Sequence, residues 1–573
     1  MRDIKTLYKT WCDCAKSDRD VIDELKKIEN NDEEIYERFY SDLAFGTGGL
    51  RGVIGAGTNR LNIYTVNRAT QGLANYINET FENPSIAIAY DSRIKSDIFA
   101  KHAAGVLAAN GIKVFIYKEL VPTPMLSFAV RYLKCDAGIM ITASHNPAKY
   151  NGYKCYNEFG YQITDEAAAK TYEYIQKTDI FEGVKEIDFN EAVKNGMIEF
   201  IKDEVYESFY NEVKKQCNEE VCKQSDIKII YSPLNGTGNK PVRYMLKALG
   251  FKNILVVPEQ ENPDGNFPTC PFPNPEIKQA FECAINLSKT ENADLLIATD
   301  PDCDRVGIAV NNGDNTFTLL TGNETGALLC DYVLSRRQKE GTIPKNSYIV
   351  KTIVTSELIA KIANNYGCEA MNFLTGFKYI GEFVTLLEEK GEADKYILGM
   401  EESYGYLAGT HVRDKDAVVA SSLICEMAAY YKSQGKSLIE VLNSLYEKYG
   451  FYKNVLLNFQ FEGASGMEKM KNLMSVLREN TPKEIASSKV VSVFDYQTSK
   501  CVNTQTGDIK DIKLPKSNVL EYHLENGGMA VVRPSGTEPK IKIYITACEK
   551  SMAESEKAVE KIGESMKEFL GLK

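Results

Sequence analysis

Short apolar runs alternate with polar, turn-prone stretches through most of the chain. IAIAY (86–90) precedes Asp91-Ser-Arg, and GIMIT (138–142) precedes Ala143-Ser-His-Asn-Pro. IKIIY (227–231) precedes Ser232-Pro-Leu-Asn-Gly, and LLIAT (295–299) precedes Asp300-Pro-Asp-Cys-Asp-Arg. YIVKTIV (348–354) precedes Thr355-Ser, and YILGM (396–400) precedes Glu401-Glu-Ser-Tyr-Gly. Near-continuous apolar runs of this length predict strands covered on both faces, hence parallel α/β layers. Residues 97–109 and 418–432 read as helices between them. In such sheets ligands bind in loops beyond the carboxyl ends of strands, and the most polar segments fall there. The rhythm recurs in three blocks, near 85–160, 227–310 and 348–410.

The two ends differ. Residues 21–40, VIDELKKIENNDEEIYERFY, space apolar residues at three and four, which predicts helix; the glycines of FGTGGLRG (45–52) then break the pattern. From about 455 the strand-like NVLLNFQF, KVVSVFDY, MAVVRP and KIKIYITA are followed by one amphipathic helix near 551–570. That order suggests an α+β domain. The expected fold class is α/β: three similar mixed or parallel α/β domains plus a C-terminal α+β domain around a central cleft. The expected boundaries are 1–200 (helical extension and domain I), 201–322 (domain II), 323–453 (domain III) and 454–573 (domain IV).

Length and charge narrow the partners. The 573 residues exceed what one core usually supports, and about 150 residues per domain gives roughly four. A composition of 43% hydrophobic and 26% charged residues fits a soluble globular protein. A net charge of -11 argues against a nucleic-acid partner. The start MRDIKTLYKTWCDC lacks a signal-type apolar run, and no stretch is long enough to span a membrane. The fourteen cysteines are scattered, without zinc-finger spacing, and read as reduced thiols of a cytoplasmic protein.

Four loops carry candidate chemistry. Asp300, Asp302 and Asp304 alternate, so an extended loop could converge them on one hard divalent cation, with Mg²⁺ favoured. An EF-hand is excluded because its sixth and twelfth positions hold Arg305 and Asn311. A solvated acidic turn is the plainer alternative. Ser144, in TASHNPAKYNGYK (142–154), is a nucleophile if something activates it, and equally a turn cap by itself. It lacks the G-x-S-x-G elbow, and the adjacent His145 is not expected to converge on it, which disfavours a Ser-His-Asp hydrolase. Arg533-Pro-Ser-Gly-Thr-Glu-Pro-Lys could cradle an anion, and Glu401 and Ser403 could grip sugar hydroxyls; each alone is also an ordinary turn. His411, Arg413 and Lys415 add positive charge nearby. His102 and His523 have no such context and read as structural.

Together these segments resemble the α-D-phosphohexomutase superfamily: a serine loop, DPDCDR as metal loop, MEESYGY as sugar loop and RPSGTEPK as phosphate loop, in order over nearly the whole chain. FGTGGLRG and YDSR (90–93) match as well. The length, the helical extension, DPDCDR and GMEESYGYLAGTHVRDKDAV look most like the branch containing phosphoglucomutase and phosphopentomutase-type enzymes. The resemblance implies an intramolecular phosphotransfer in which Ser144 carries a phosphate, glucose 1,6-bisphosphate is intermediate and activator, and the metal set is Ser144, Asp300, Asp302 and Asp304 with one Mg²⁺. Arg51, Lys154 and Arg305 would surround the transferring group, with Lys154 or Arg51 assisting proton transfer and His145 beside them. Glu401 and Ser403 would bind sugar hydroxyls, Lys378, His411 and Lys415 would also bind substrate, and Arg533, Ser535, Gly536 and Thr537 would hold the non-reacting phosphate. Gly405 stands where bacterial phosphomannomutase types often have His, which makes glucose the first choice over mannose or pentose phosphates. A non-catalytic sugar-phosphate-binding protein is a remote alternative. The expected protein is a cytoplasmic monomer or weak homodimer acting on small sugar phosphates.

Overall fold

The computed structural model describes residues 2–572 except Thr47, 462–463 and 536–539, and omits the side chains of 464–467. The chain forms two compact units, Met1–Gly322 with Ile380–Ser437, and Asn323–Tyr379 with Leu438–Lys573.

In the first unit, among the described residues, two sheets bear the predicted apolar strands. One has seven strands, with Ser85–Tyr90 pairing in parallel with Ala137–Ile141 on one side and Lys113–Ile116 on the other. The other has five, with Leu295–Thr299 parallel to Lys228–Ser232. Both central strands, Ala137–Ile141 and Leu295–Thr299, are buried throughout, as covered sheets require. The strand that follows each site loop runs back antiparallel: Tyr150–Asn157 against Ala137–Ile141, and Val306–Asn311 against Leu295–Thr299. Tyr396–Glu401 and Gly405–Ala408 form a third such return. The α/β fold is therefore mixed, because each loop closes a hairpin and carries the chain straight back along the sheet.

The N-terminal helices Ile4–Cys14, Arg19–Lys27 and Asp32–Phe39 contribute buried residues to the same apolar core as the seven-stranded sheet. The lone tryptophan, Trp11, is fully buried and meets Phe39, Tyr64 and Phe181 edge-on.

In the second unit Tyr348–Thr352 pairs in parallel with Glu369–Phe373. The C-terminal block is an antiparallel sheet whose longest pair is Phe451–Gln460 with Lys540–Glu549. Helix Met552–Leu570 packs its buried Val559, Ile562 and Met566 on that sheet. This is the α+β ending that the order of patterns suggested. No helix among the described residues is long and apolar enough to cross a membrane, and all fourteen cysteines are free thiols.

Gly152 marks the tightest packing beneath the serine loop. It pairs with Arg51 across the sheet, and a Cβ there would sit 2.5 Å from the Thr142 carbonyl oxygen and 2.9 Å from that of Leu50. Both obstacles are backbone and cannot swing aside. Gly152→Ala is expected to destabilise the first unit by about 2 kcal/mol, read as a lowered thermal midpoint.

Candidate active site

The serine loop is built on backbone held from inside. Ser144 adopts the left-handed conformation (φ 51°), and its amide donates to Thr142 Oγ1 at 2.8 Å. Such a φ is unfavourable for a residue with a Cβ and persists only where its surroundings impose it. Arg93 supplies the constraint. Its fully buried guanidinium donates to the carbonyls of Ser144, Asn146, Pro147 and Tyr150, the last two at 3.1 and 3.0 Å. Asp91 Oδ2 lies 3.4 Å from its Nε. Burial alone would pull the Arg93 pKa down and push the Asp91 pKa up, and each opposes the other's shift.

The aspartate loop begins where the buried strand Leu295–Thr299 ends. Asp300 Oδ1 accepts the amides of Asp304 and Arg305 at 3.1 and 3.0 Å, which curls the loop around its first carboxylate. Three successive carbonyls are held by three other segments. Pro301 accepts from the Thr237 amide, Asp302 from the Thr123 amide and Cys303 from the Ala417 amide. The result is a cluster in which one ligand atom from each of Asp300, Asp302 and Asp304 lies within 4.8 Å of the others, all three residues buried.

Charge is balanced locally. Lys154 Nζ sits 2.9 Å from Asp302 and 3.5 Å from Asp304, and Lys415 Nζ 3.2 Å from Asp304 and 3.1 Å from Asp414. Burial works against both ammonium groups, but the aspartates outweigh it and raise both pKa values. Burial and the charges of Asp302 and Asp304 push Asp300 well above the usual carboxylate range. Burial also pushes on Asp302, but Lys154 outweighs it and holds that carboxyl below the range. Asp302 Oδ1 and Asp304 Oδ1 are buried without a hydrogen-bond partner. Two orphaned carboxylate oxygens facing a third carboxylate fit a hard divalent cation, since burying them unpaired is unfavourable.

Ser144 reaches this cluster directly, donating its hydroxyl to Asp300 Oδ2 at 2.8 Å. His145 corrects an expectation. Its Nδ1 lies 3.2 Å from Ser144 Oγ, because the left-handed turn at Ser144 brings neighbouring side chains to one side. Burial, then the charges of Arg305 and Arg51, push its pKa well below that of free imidazole, which disfavours its protonated form. Among the described residues no carboxylate hydrogen-bonds His145, so no Ser-His-Asp arrangement forms. Arg51 Nη1 donates to Asn146 Oδ1 at 3.2 Å, and Arg305 pairs with Glu276 at 2.8 Å. Glu401, buried at the end of Tyr396–Glu401, acts electrostatically on Arg305 and Lys415, and Ser403 is half-buried in the next turn.

His411 pairs its Nε2 with Asp416 at 2.9 Å and packs its ring near Phe209. Lys378 belongs to the second unit, with its ammonium over the Tyr379 ring. Arg533 is the penultimate residue of the strand Met529–Pro534 in that unit, and the Ser535 amide donates to the Lys540 carbonyl at 2.7 Å. Gly536 and Thr537 lie outside the described residues. His102 pairs with Glu186, and His523 with Glu521.

Four family matches run in order along the chain: phosphoglucomutase/phosphomannomutase alpha/beta/alpha domain I at residues 42–181, domain II at 207–313, domain III at 321–449 and the C-terminal domain at 475–561. The chain belongs to the phosphoglucomutase/phosphomannomutase family. A phosphoglucomutase of Staphylococcus saprophyticus is 39% identical over 515 residues, covering 90% of this chain and 92% of that protein. Two solved structures share the fold. A phosphoglucomutase/phosphomannomutase family protein from Burkholderia thailandensis has a TM-score of 0.66 at 20% identity, covering 92% of this chain and 97% of its own. The pp63/parafusin phosphoglucomutase of Paramecium, in an open form, has 0.67 at 18% identity, covering 93% and 96%.

Several residues of this family member's cluster escaped sequence reasoning. Thr123 Oγ1 donates to Asp302 Oδ2 at 2.9 Å, Asp414 joins Lys415 to the Tyr156 hydroxyl, and Glu276 anchors Arg305. Nothing near them in sequence marks these contacts, which come from segments up to hundreds of residues apart. Arg93 had a signal, the polar YDSR directly after a buried strand. Asp304→Asn is expected to weaken divalent-cation binding, followed by titration calorimetry, by about tenfold or more, because an amide supplies less charge to the site. Unchanged affinity would remove Asp304 from the ligand set.

Proposed function

We propose that this chain is a phosphoglucomutase, an isomerase that interconverts α-D-glucose 1-phosphate and glucose 6-phosphate through a phosphorylated Ser144. The observation that carries the reading is the Ser144 hydroxyl bonded to a buried triad of aspartates ringed by Lys154, Lys415 and Arg305. Phosphoryl transfer needs positioning and charge stabilisation above all, and this constellation supplies both. The name and extent of the Staphylococcus relative support the same reading.

Asp300, Asp302, Asp304 and an oxygen on Ser144 would hold Mg²⁺, which when bound neutralises charge on the phosphoryl group and polarises it for attack. The protein's own residues do the rest. In the forward direction the bond from phosphorus to Ser144 Oγ breaks as one forms to the sugar 6-oxygen, and the 6-hydroxyl proton ends on Ser144 Oγ, giving glucose 1,6-bisphosphate. After the intermediate turns over in the site, the bond from phosphorus to the 1-oxygen breaks as one forms to Ser144 Oγ, whose proton ends on the 1-oxygen, releasing glucose 6-phosphate. His145 stands within hydrogen-bond reach of Ser144 Oγ and can relay a proton to or from it. Lys154 and Arg305 stabilise the equatorial oxygens in transit, and Arg51, which orients Asn146, adds positive charge at the loop. Glu401 and Ser403 accept sugar hydroxyls, with Lys415 beside them. We assign Arg533, Ser535, Gly536 and Thr537 to the non-transferring phosphate and Lys378 to substrate binding.

Ser144→Ala is expected to lower turnover on the order of a thousandfold or more while leaving sugar-phosphate binding in place. The check is a panel of glucose, mannose, ribose and deoxyribose 1-phosphates with a bisphosphate activator, with and without chelator. Glucose 1-phosphate is expected to give the highest kcat/KM, with activity lost on chelation. Preference for mannose or a pentose would reassign the substrate, and a fully active Ser144→Ala would overturn the phosphoserine route.

A further inference from the structure

The segment Asp91–Ser96 holds the serine loop through Arg93, and it is itself held from two sides. On the inner side Asp91 Oδ1 accepts the Ser96 hydroxyl at 2.7 Å, and Asn151 Nδ2 donates to the Ile94 carbonyl at 3.0 Å. On the outer side Lys95, in the left-handed conformation (φ 63°), reaches into the N-terminal helices. Its ammonium lies 2.8 Å from Asp18 Oδ2 and 2.8 Å from Asp20 Oδ2, with the Lys95 and Asp18 side chains only 12% and 10% exposed. A left-handed lysine is unfavourable and needs something to hold it there. Asp18 also caps the helix Arg19–Lys27, accepting the Asp20 amide at 3.0 Å, so its carboxylate is fixed before it meets the lysine. Both aspartates precede residue 42, where the family domain I match begins.

We propose that the N-terminal helices act as a positioning element for the phosphoryl-carrying serine, through Asp18 and Asp20 on Lys95. The path is contiguous: Asp18 and Asp20 fix Lys95, Lys95 fixes the backbone two residues from Arg93, and Arg93 fixes four carbonyls of the loop bearing Ser144. Lys95 is a positioning residue and contacts no reacting atom. Its contribution is to the placement of Ser144 Oγ against Asp300, which sets the rate of transfer and leaves substrate affinity largely alone. This rests on the mutase reading above.

The test uses the full-length chain carrying Asp18→Asn and Asp20→Asn together. Asparagine is as good a helix cap as aspartate, so the charge is lost and the cap kept. The expected result is a fall in kcat of about tenfold with KM little changed, because small misplacements of a reacting group act on the transition state. Amide exchange across 143–150 should quicken, while emission of the single tryptophan, Trp11, stays as in wild type because the helices remain docked. Lys95→Met should behave the same way, Lys95→Arg should retain most of kcat, and the triple variant should be no slower than Lys95→Met alone. Wild-type kcat and exchange in either charge-removing variant would overturn the proposal, as would additive losses in the triple variant. If Trp11 emission shifts in the double variant, Lys95→Met, which leaves the helices intact, decides. A wild-type chain inactive on every sugar phosphate would sink the mutase reading instead, and exchange at 143–150 would still test the tie.

Discussion

Three carboxylates buried within five residues set the terms for the first unit. Asp300, Asp302 and Asp304 are each at most 2% exposed, and like charges so placed are tolerable only beside fixed positive groups or a cation. Lys154 comes from the strand that returns after the serine loop, Lys415 from the turn before the helix Ala417–Ser433, and Arg305 from the aspartate loop itself. The Ser144 hydroxyl completes the set. Electrostatic need therefore draws together segments that sequence separates by up to about 270 residues.

Backbone, more than side chains, keeps that arrangement in register. Ser144 and Cys303 both adopt left-handed φ, and both stand at the turning point of their loop. Carbonyls that would otherwise be unsatisfied become the handles. Arg93 takes four in the serine loop, while Thr237, Thr123 and Ala417 take three in the aspartate loop. Such polar handles leave few degrees of freedom where phosphoryl transfer tolerates little misplacement.

What could be read from sequence follows from the same physics. Central strands were legible because covering both faces demands an unbroken apolar run, as in LLIAT and GIMIT. The returning strand YNGYKCYN was not, because Lys154, turned to the aspartates, and the buried Asn151, bonded to the Ile94 carbonyl, interrupt its apolar periodicity. The aspartates and Ser144 were legible as chemistry in unusual density. The convergence of His145 on Ser144 was not, since it depends on a φ that no residue type announces. His411 showed the opposite failure: a histidine in a polar loop invited a binding role, yet it serves Asp416, which caps the helix that holds Cys303.

The claim on which the account turns is that Ser144 carries the phosphoryl group. Intact and peptide mass measurement after incubation with glucose 1,6-bisphosphate and Mg²⁺ tests it directly. The account predicts the added mass of one phosphoryl group, located to Ser144 and discharged by addition of glucose 1-phosphate. A phosphoryl group on any other residue, or an active protein that never acquires one, would contradict it.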